Sequence, residues 1–351
     1  MGPPPAKRLK EHVELAFLGP RGTYGEQAAR AFASRFHTPV DLVPCSTITA
    51  VYDSPSPHIV LPLENTLQGG VQETLDCLLS SLNPQASKPG AIQRQIKLSL
   101  SLPIRHCLVA LKGTQLPEIT YVRSHEQALG QSARYLDEKL PRAKRERWSS
   151  TAGAAVSLLD SPEDGEGKGA AICSKAVLGL YPDALEVLHE GTQYGDRKYL
   201  FSSIPHRADS SQDNYTRFLL LSPPSAPLPK IIPNPRIFSD ADRNHIYAIS
   251  SVNVTGFLSS VGLPALEGTG KGRYVKMIHT RPAAEGWTAG EWEEREDFPR
   301  WHLVEIDGGL ADDDQLDEDD PDADVDGEGG EYKLLGIVHD EISHMELSKL
   351  L

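Results

Sequence analysis

Three polar side chains follow a short apolar segment in the first quarter of the chain. Residues 59–63 are apolar and are typical of a buried strand. The carboxylate of Glu64, the amide of Asn65 and the hydroxyl of Thr66 come directly after them, and two glycines follow shortly afterwards. Polar groups beyond the carboxyl end of a strand line the ligand crevice of open α/β sheets. In a simpler interpretation, Asn65 or Thr66 only caps a helix over 71–82.

Hydroxyl and amide side chains recur where predicted strands meet predicted helices. Such groups, together with the free N–H groups of helix N-termini, suit a small polyanionic substrate. They do not suit a reaction that needs a strong base or a metal, and the sequence has no HExxH motif, P-loop or serine-hydrolase set. The residues concerned are Thr23, Asn65, Thr66, Ser124, Ser150, Thr151 and Thr216.

Composition favours a globular chain and indicates neither a zinc site nor a redox motif. Hydrophobic residues make up 39% of the 351, and no apolar run approaches the ~20 residues that span a bilayer. The four cysteines are widely spaced and form no CxxC pair, so neither a zinc site nor a redox motif is indicated. The N-terminal segment lacks the apolar core of a secretory signal. We therefore expect a cytoplasmic protein that does not act on a membrane.

The acidity of the chain is concentrated in one segment. The net charge is −14, but residues 311–331 hold twelve acidic side chains and no basic one, and removing them leaves −2. This segment is rich in Asp and Gly and cannot bury a core, so we predict a disordered insertion over 309–331. No basic stripe indicates a nucleic-acid partner.

Alternating strand and helix patterns predict a mostly parallel α/β fold for the first two thirds of the chain. The first unit begins with a strand over 15–18, a glycine turn and a helix over 25–36. A second α/β unit follows an extended segment over 98–110. The Pro-rich segment 223–235 is a predicted linker, and the region beyond it is predicted to stand apart.

Five short segments together resemble the prephenate dehydratase family over about residues 14–222. Each segment is weak alone, but their order and spacing are specific. The resemblance is to a monofunctional, fungal-like member of the family with a C-terminal ACT-like regulatory domain. One departure is Glu126, where the family usually has Pro. The segments are Phe17–Thr23, Leu61–Thr66, Ser124–Gln131, Ser150–Ala152 and Asn214–Phe218.

The resemblance implies a two-lobed α/β fold like that of periplasmic binding proteins, followed by an α+β ACT-like domain. It implies a lyase that converts prephenate to phenylpyruvate, water and CO₂ in L-phenylalanine biosynthesis, without a cofactor. L-phenylalanine is the implied effector, and a homodimer or larger homo-oligomer is implied. The expected parts are a disordered tail over 1–13, a catalytic domain over 14–222 with its second lobe at about 111–200, a linker over 223–242 and the ACT-like domain over 243–351.

The resemblance also assigns roles to the polar residues. Thr216 is the expected donor to the leaving hydroxyl, because a well-aimed donor stabilises the negative charge that develops there. Asn65, Ser124 and Gln131 are expected to orient the substrate. The other expected substrate contacts are Thr23, which would bind a carboxylate, Phe218, which would form an apolar wall for the ring, and Glu64, Thr66, Ser150, Thr151 and Arg217.

Structural alternatives stay open at several of these positions. Arg217 is more typical of an ion pair than of a catalyst. Glu64 beside a dianionic substrate is unfavourable, so a turn contact is an equal interpretation. Ser150 and Thr151 are also suitable helix caps, and Thr216 alone would suit a strand.

The C-terminal region resembles the phenylalanine-sensing domain of the same family. Its segment 278–282 is similar to a Glu-Ser-Arg-Pro signature, with His279 and Thr280 in place of Glu and Ser, followed by Arg281 and Pro282. A loose match to a Gly-Ala-Leu turn is formed by Gly256, Phe257 and Leu258. The alternative is a degenerate domain that is retained for dimerisation.

Two other functions compete with the prephenate reaction. An arogenate dehydratase would accept an amino group where prephenate has a keto group. A non-catalytic sensor of amino acids or keto acids could use the same fold, but it would have no need of a leaving-group donor such as Thr216.

Overall fold

Two β-sheets form the framework of the molecule. The structure is a computed structural model, and it describes residues 13–80, 92–160, 167–194, 214–226, 243–250, 274–282, 300–307 and 332–342. The strands are β1 Val13–Leu18, β2 Val40–Cys45, β3 His58–Asn65, β4 Gly69–Gly70, β5 Gln95–Pro103, β6 His106–Leu111, β7 Ile119–Ser124, β8 Lys144–Arg147, β9 Lys168–Ser174, β10 Leu185–Glu190, β11 Tyr215–Ser222, β12 Arg243–Ser250, β13 Tyr274–Pro282, β14 Arg300–Asp307 and β15 Tyr332–Ile342.

Helices cover both sheets. None of the helices within the described ranges is long and apolar enough to cross a membrane. The α-helices are α1 Tyr24–Ala33, α2 Ile48–Tyr52, α3 Gln72–Leu79, α4 Glu126–Gln131, α5 Ala133–Lys139 and α6 Thr151–Val156, and 3₁₀ turns occur at Leu116–Glu118, Lys175–Gly179 and Thr192–Tyr194.

The first sheet joins parallel and antiparallel strands in the order β13-β14-β12-β15-β5-β11-β3-β1-β2, with β4 beside β3. Strands β1, β2 and β3 are parallel, as the alternation of strand and helix patterns predicts. The late strand β11 is inserted between β3 and β5 and is antiparallel to both. This return brings residues near 216 to the end of β3, about 150 positions earlier in the chain.

The central strands of the first sheet are apolar on both faces because both faces are covered. Side chains alternate between the faces of a strand. Leu61 and Leu63 of β3 pack in one core with residues of α2 and α3, whereas Val60 packs in a second core with Phe32 of α1 and with Phe218. A strand that is buried on both faces has a continuous apolar sequence, because neither face is exposed to water. Residues 59–63 show this pattern.

The second sheet has the order β10-β6-β9-β7-β8 and is covered by α4 and α5 on one face and by α6 on the other. The single extended segment expected over 98–110 is in fact two strands, β5 and β6, that lie in different sheets. Pro103 ends β5, since proline has no N–H for the ladder. The second sheet therefore begins with β6, ahead of the lobe boundary expected near 111.

The C-terminal strands extend the first sheet, although the sequence predicted that this region would stand apart. Strand β15 pairs in parallel with β5, and β12, β14 and β13 follow as antiparallel neighbours. Leu303 and Ile246 pack in the same core as Leu61 and Leu219. The expected acidic insertion, most of the linker and residues 1–12 of the tail expected over 1–13 lie outside the described residues, whereas Val13 already belongs to β1.

The turn between β1 and α1 is closed by a side-chain cap and a glycine. The Oγ1 of Thr23 accepts a hydrogen bond from the N–H of Glu26 at 3.3 Å, and the Glu26 carboxylate accepts the N–H of Gly22 at 2.6 Å. This arrangement is close to a capping box. A Cβ on Gly25 would lie well inside van der Waals contact of the carbonyl oxygen of Leu18. Glycine thus allows the end of β1 to lie against the first turn of α1.

Replacing Gly25 with Ala is expected to lower the free energy of unfolding by about 1–3 kcal/mol, because the added methyl group must displace backbone. The matched control is Gly130→Ala in α4, where a Cβ meets nothing within 4 Å. That change is expected to raise the free energy of unfolding by about 0.5–1 kcal/mol, since Ala loses less conformational entropy than Gly. Urea unfolding of both variants measures the difference, and equal effects would contradict the close approach at Gly25.

Candidate functional site

The side chains of Asn65 and Thr216 meet at the ends of two neighbouring strands. The two residues are register partners in the β3–β11 ladder, and both are half-buried. The Nδ2 of Asn65 lies 3.0 Å from the Oγ1 of Thr216, 2.9 Å from the carbonyl oxygen of Tyr215 and 2.7 Å from the Oδ1 of Asn214. Two amide hydrogens therefore serve three acceptors. The pairing of these strands brings the predicted donor and an orienting amide into contact.

The direction of these hydrogen bonds leaves the hydroxyl proton of Thr216 uncommitted. An amide nitrogen only donates, so the Oγ1 of Thr216 accepts from Asn65 and keeps its own proton for another acceptor. Across the described part of the chain, no acceptor for that proton lies within hydrogen-bond distance. The Oδ1 of Asn65 is fixed in turn by the N–H groups of Leu67 and Gln68, at 3.0 and 3.2 Å.

A chain of amides connects this pair to the second sheet. The Nδ2 of Asn214, a residue that is 1% exposed, donates to the Oε1 of Gln131 at 3.0 Å. The Nε2 of His106 lies 2.8 Å from the same oxygen. Gln131 ends α4 and His106 begins β6, and both elements belong to the second sheet and its helices, whereas Asn214 directly precedes β11 of the first sheet. The Asn214–Gln131 contact therefore crosses from one sheet to the other. Gln131, Asn65 and Thr216 are thus brought to one place by the fold.

His106 is neutral near pH 7. It is 4% exposed, and desolvation lowers the pKa of its imidazole to about 4. Its ring meets the ring of Tyr24 edge-on, with centroids 6.0 Å apart. The residue is therefore a buried hydrogen-bond partner of Gln131 and carries no positive charge that could attract an anion.

Thr66 stays close to this group, whereas Thr23 and Ser150 act as helix caps. The Oγ1 of Thr66 accepts the N–H of Tyr215 at 3.0 Å. Ser150 caps α6 through a hydrogen bond from the N–H of Gly153 at 3.0 Å, and Thr151 is the first residue of that helix. The hydroxyl of Thr23 and the neighbouring N–H group are occupied by the cap described above, which leaves no ready site for the carboxylate expected there.

Two residues expected at the substrate are buried in the protein instead. Ser124 is 0% exposed, and its hydroxyl donates to the carbonyl oxygen of Ile172 at 2.6 Å. Phe218 is 3% exposed and packs in the core beneath α1, so it does not form the expected apolar wall. In both cases the side chain lies on the covered face of its strand.

Arg217 and Glu64 form a charged cluster with the C-terminal strands. The guanidinium of Arg217 makes two contacts with the carboxylate of Glu305, at 2.5 and 2.8 Å, and donates to the Oγ of Ser99 at 3.0 Å. Glu64 lies 3.6 Å from Arg217 and 3.3 Å from the Nε2 of His279. The His279 hydrogen bond and the charge of Arg217 lower the pKa of the Glu64 carboxyl. The ion-pair alternative for Arg217 is therefore the one observed.

The residues of the expected regulatory signature contact the first sheet and its helix α3. Arg281 makes two hydrogen bonds to Asp76 of α3, at 2.7 and 3.0 Å, and the ring of His279 lies against Gly70. Thr280 is exposed and lies 3.0 Å from His302, and Pro282 ends β13. Gly256, Phe257 and Leu258 lie outside the described residues.

Two residues of the site carried no assigned role in the sequence. Asn214 belongs to one of the five segments, but only its neighbours were given functions. His106 lies in an apolar strand with no local signal, since its partner is 25 positions away. In the ranges that the structure describes, no group of three or more His, Cys, Asp or Glu side chains is arranged to hold a metal ion.

Comparison with known proteins supports one family. The family model described as prephenate dehydratase matches residues 15–226, which is more than half of the chain. A prephenate dehydratase of Amycolatopsis methanolica is 31% identical over 251 residues, which cover 70% of this chain and 67% of that protein.

The chain belongs to the prephenate dehydratase family.

Some relatives are longer than this chain. A bifunctional chorismate mutase/prephenate dehydratase of Enterobacter agglomerans is 28% identical over 218 residues, covering 60% of this chain and 47% of its own length. The chain thus spans about half the length of this relative. Arogenate dehydratases of Arabidopsis thaliana are also among the relatives.

The fold agrees with that of solved family members. A prephenate dehydratase from Arthrobacter aurescens, in complex with L-Phe, has a TM-score of 0.59 and 22% identity, covering 93% of this chain and 90% of its own. A structure described as a quorum-quenching acylase has the same TM-score at 19% identity, with 93% and 98% covered. The two-lobed α/β fold is therefore shared, and the reaction has to be argued from the residues.

The buried pair of Arg217 and Glu305 is expected to be the costliest ion pair to break. Glu305→Gln leaves a buried guanidinium without its main counter-charge, and such a loss costs about 3–5 kcal/mol of unfolding free energy. The control is Lys175→Ala, which removes an exposed pair with Glu190 and is expected to cost less than about 1 kcal/mol. Urea unfolding of the two variants tests this. Similar decreases in unfolding free energy would show that the buried pair contributes no more to stability than the exposed one.

The lowered pKa of Glu64 predicts an acid-sensitive contribution to stability. A carboxyl whose pKa is lower in the folded than in the unfolded state stabilises the fold above the unfolded pKa of about 4.3, and the contribution is lost as pH falls through the folded pKa. The difference in unfolding free energy between wild type and Glu64→Gln is therefore expected to shrink between about pH 5 and pH 3. Exposed Glu73→Gln serves as the control. A difference that stays constant with pH would contradict the contact.

Proposed function

We propose that the protein is a prephenate dehydratase that converts prephenate to phenylpyruvate, CO₂ and water in L-phenylalanine biosynthesis. Family membership supports the assignment, and so does the contact between Asn65, Thr216 and Gln131. The proposal includes action in the cytoplasm, without a cofactor, and as a homodimer or larger homo-oligomer.

The proposed reaction requires the protein to bind prephenate and to place one hydrogen-bond donor at the leaving hydroxyl. The bond between the ring and its carboxylate breaks and CO₂ leaves, and the electron pair of that bond enters the ring. The C–O bond of the ring hydroxyl breaks at the opposite carbon, and the oxygen leaves with its electron pair and takes a proton to become water. The ring becomes aromatic, so the driving force is in the substrate. Negative charge grows on the departing oxygen, and a hydrogen-bond donor placed there lowers the barrier.

The observation that carries the proposal is the hydroxyl proton of Thr216, for which the described residues provide no acceptor. Its oxygen accepts from Asn65 at 3.0 Å, which fixes the hydroxyl and withdraws electron density from it. An alcohol is a poor acid, so Thr216 acts as a polarised hydrogen-bond donor or relay to the leaving oxygen. Ser124 and Phe218 are buried, so we assign substrate orientation to the amides of Asn65 and Gln131.

Arogenate dehydratase is the second candidate, since plant enzymes of that name are relatives of this chain. The two substrates differ at the side-chain keto or amino group, and the dehydration at the ring is the same. The site geometry around Thr216 serves both. Parallel assays with the two substrates therefore separate the candidates.

Phenylalanine inhibition is part of the proposal. The C-terminal strands have the spatial order β13-β14-β12-β15, all antiparallel, which is the order of a β-α-β-β-α-β unit and supports an ACT-like domain. The solved relative from Arthrobacter aurescens is described as bound to L-Phe. His279 and Arg281 are held by Glu64 and Asp76. A ligand that exchanged these contacts would act on Glu64, the neighbour of Asn65.

The decisive experiment is turnover of prephenate at neutral pH, followed as phenylpyruvate. Thr216→Ala is expected to lower kcat by about 10²–10³, as the loss of one aimed donor does in other enzymes. Thr216→Ser keeps the hydroxyl and is expected to retain most of the activity. Full activity of Thr216→Ala would refute the mechanism, and a wild type that converts neither prephenate nor arogenate would favour a non-catalytic binding protein.

Phenylalanine is expected to inhibit wild-type turnover. Asp76→Asn releases Arg281 from an exposed ion pair, and such pairs are worth up to about 1 kcal/mol. The half-inhibitory concentration of phenylalanine is therefore expected to fall by up to about fivefold, without a change in kcat/KM in its absence. The matched control is Glu73→Gln on the same helix. An unchanged half-inhibitory concentration would separate the Arg281 contact from regulation.

A further inference from the structure

Two buried residues orient the side-chain amide of Gln131 through hydrogen bonds to its oxygen. Its Oε1 receives the Nδ2–H of Asn214 at 3.0 Å and lies 2.8 Å from the Nε2 of His106. Both partners are almost fully buried, at 1% and 4% exposure. A side-chain amide with its oxygen held in this way has one remaining capacity, the two hydrogens of its Nε2. No described residue accepts from that nitrogen.

The hydrogen bond to Gln131 also determines which ring nitrogen of His106 carries the proton. An amide oxygen can only accept, so the Nε2 of the imidazole must carry the proton, and the Nδ1 of the neutral ring is unprotonated. Protonation of both nitrogens is opposed by burial, which lowers the pKa of the ring to about 4. His106 is therefore a neutral donor with a fixed tautomer.

The Nδ1 of His106 lowers the stability of the fold, and packing alone would not require a histidine at this position. The Nδ1 is buried, and no hydrogen-bond partner for it exists among the described side chains and backbone. An unsatisfied buried polar atom destabilises a protein by about 1–3 kcal/mol. An apolar ring of the same size would avoid this cost, so a requirement other than stability accounts for histidine here.

In the hydrogen bonds that connect His106 to Thr216, every donor meets an acceptor. His106 and Asn214 donate to Gln131, the Oδ1 of Asn214 accepts from Asn65, and Asn65 donates to Thr216. Reversing any one amide would bring two donors or two acceptors face to face. The orientation of Gln131 is thus linked to that of Asn65 through a single bridging residue, Asn214.

We propose that His106 and Asn214 are positioning residues of the active site, which hold the amide of Gln131 with its nitrogen available to the substrate and align it with Asn65. This role rests on the proposed function. Gln131 touches the substrate through its Nε2, where a carboxylate or keto oxygen of prephenate accepts. His106 and Asn214 act only through the two amides.

The test is a double-mutant cycle on prephenate turnover. His106→Phe keeps the ring and removes the N–H, and it is expected to lower kcat/KM by about 10²-fold, because a misplaced contact group costs that much. The melting temperature should stay the same or rise, since the orphaned nitrogen is removed. His106→Gln restores a donor and should recover activity to within about tenfold. In a Gln131→Ala background, His106→Phe should change kcat/KM by less than about twofold.

His58→Phe is the matched control, because His58 is also buried and bonded to one side chain, Ser222, at 2.7 Å. It should leave kcat/KM within about twofold of wild type. Asn214→Asp should invert the Gln131 amide, which then donates to the new carboxylate, and should lower kcat/KM as Gln131→Ala does. A full effect of His106→Phe in the Gln131→Ala background would overturn the proposal, and so would an equal loss in His58→Phe.

Nitrogen-15 NMR of the histidine rings separates this inference from the proposed function. Wild type at neutral pH should show His106 with a protonated Nε2 and a bare Nδ1, and Gln131→Ala should disturb that signal. If wild type turns over neither prephenate nor arogenate, the proposed function fails, while the NMR result still decides whether His106 orients Gln131. A ring protonated at Nδ1 overturns the positioning role whatever the activity.

Discussion

The pairing of β3 with β11 is the constraint on which the site depends. In this register Thr216 lies opposite Asn65 and Arg217 lies opposite Glu64. Because successive residues of a strand face opposite sides, one pairing supplies both the polar pair at the site and the charged pair that faces the C-terminal strands. A slip of one residue would exchange the two. The ladder shifts register between Arg217 and Phe218, and such irregularities are frequent beside active sites.

The charged residues of the β3–β11 pair, Arg217 and Glu64, connect the first part of the chain to the C-terminal strands. Arg217 is buried between Glu64 of the first sheet's parallel part and Glu305 of β14, which is 1% exposed. Burying these charges is expensive, and only good geometry repays the cost. The pair therefore specifies one docking of the C-terminal strands. Arg217 and Glu64 are the sequence neighbours of Thr216 and Asn65, so the contact with Glu305 lies one residue from the site.

Much of the fold could be predicted from apolar runs, whereas the placement of side chains could not. The strand at 59–63 and the helix after Thr23 follow from local patterns. Asn65 and Thr216 are indicated by their positions beside predicted strands, whereas Gln131 and the roles of all three residues follow only from the match of short segments to a family. Ser124 and Phe218 were placed at the substrate, and the structure buries both, because facing is decided by strands about 50 to 150 positions away. The donor to Gln131, His106, has no local signal for the same reason.

The described part of the site contains few charges, which suits the dianionic substrate of the proposed function. A dianion supplies its own electrostatics, and a buried carboxylate near it would raise the energy of the complex. Glu64, the one carboxylate beside the site within the described ranges, is engaged by His279 and Arg217 on the other side of the strand. What remains is a line of neutral groups that hydrogen-bond to one another, and the described residues provide no partner for the Nδ1 of His106, the Nε2 of Gln131 or the hydroxyl proton of Thr216. In the proposed function, the Nε2 of Gln131 holds a substrate oxygen and the hydroxyl of Thr216 donates to the leaving oxygen.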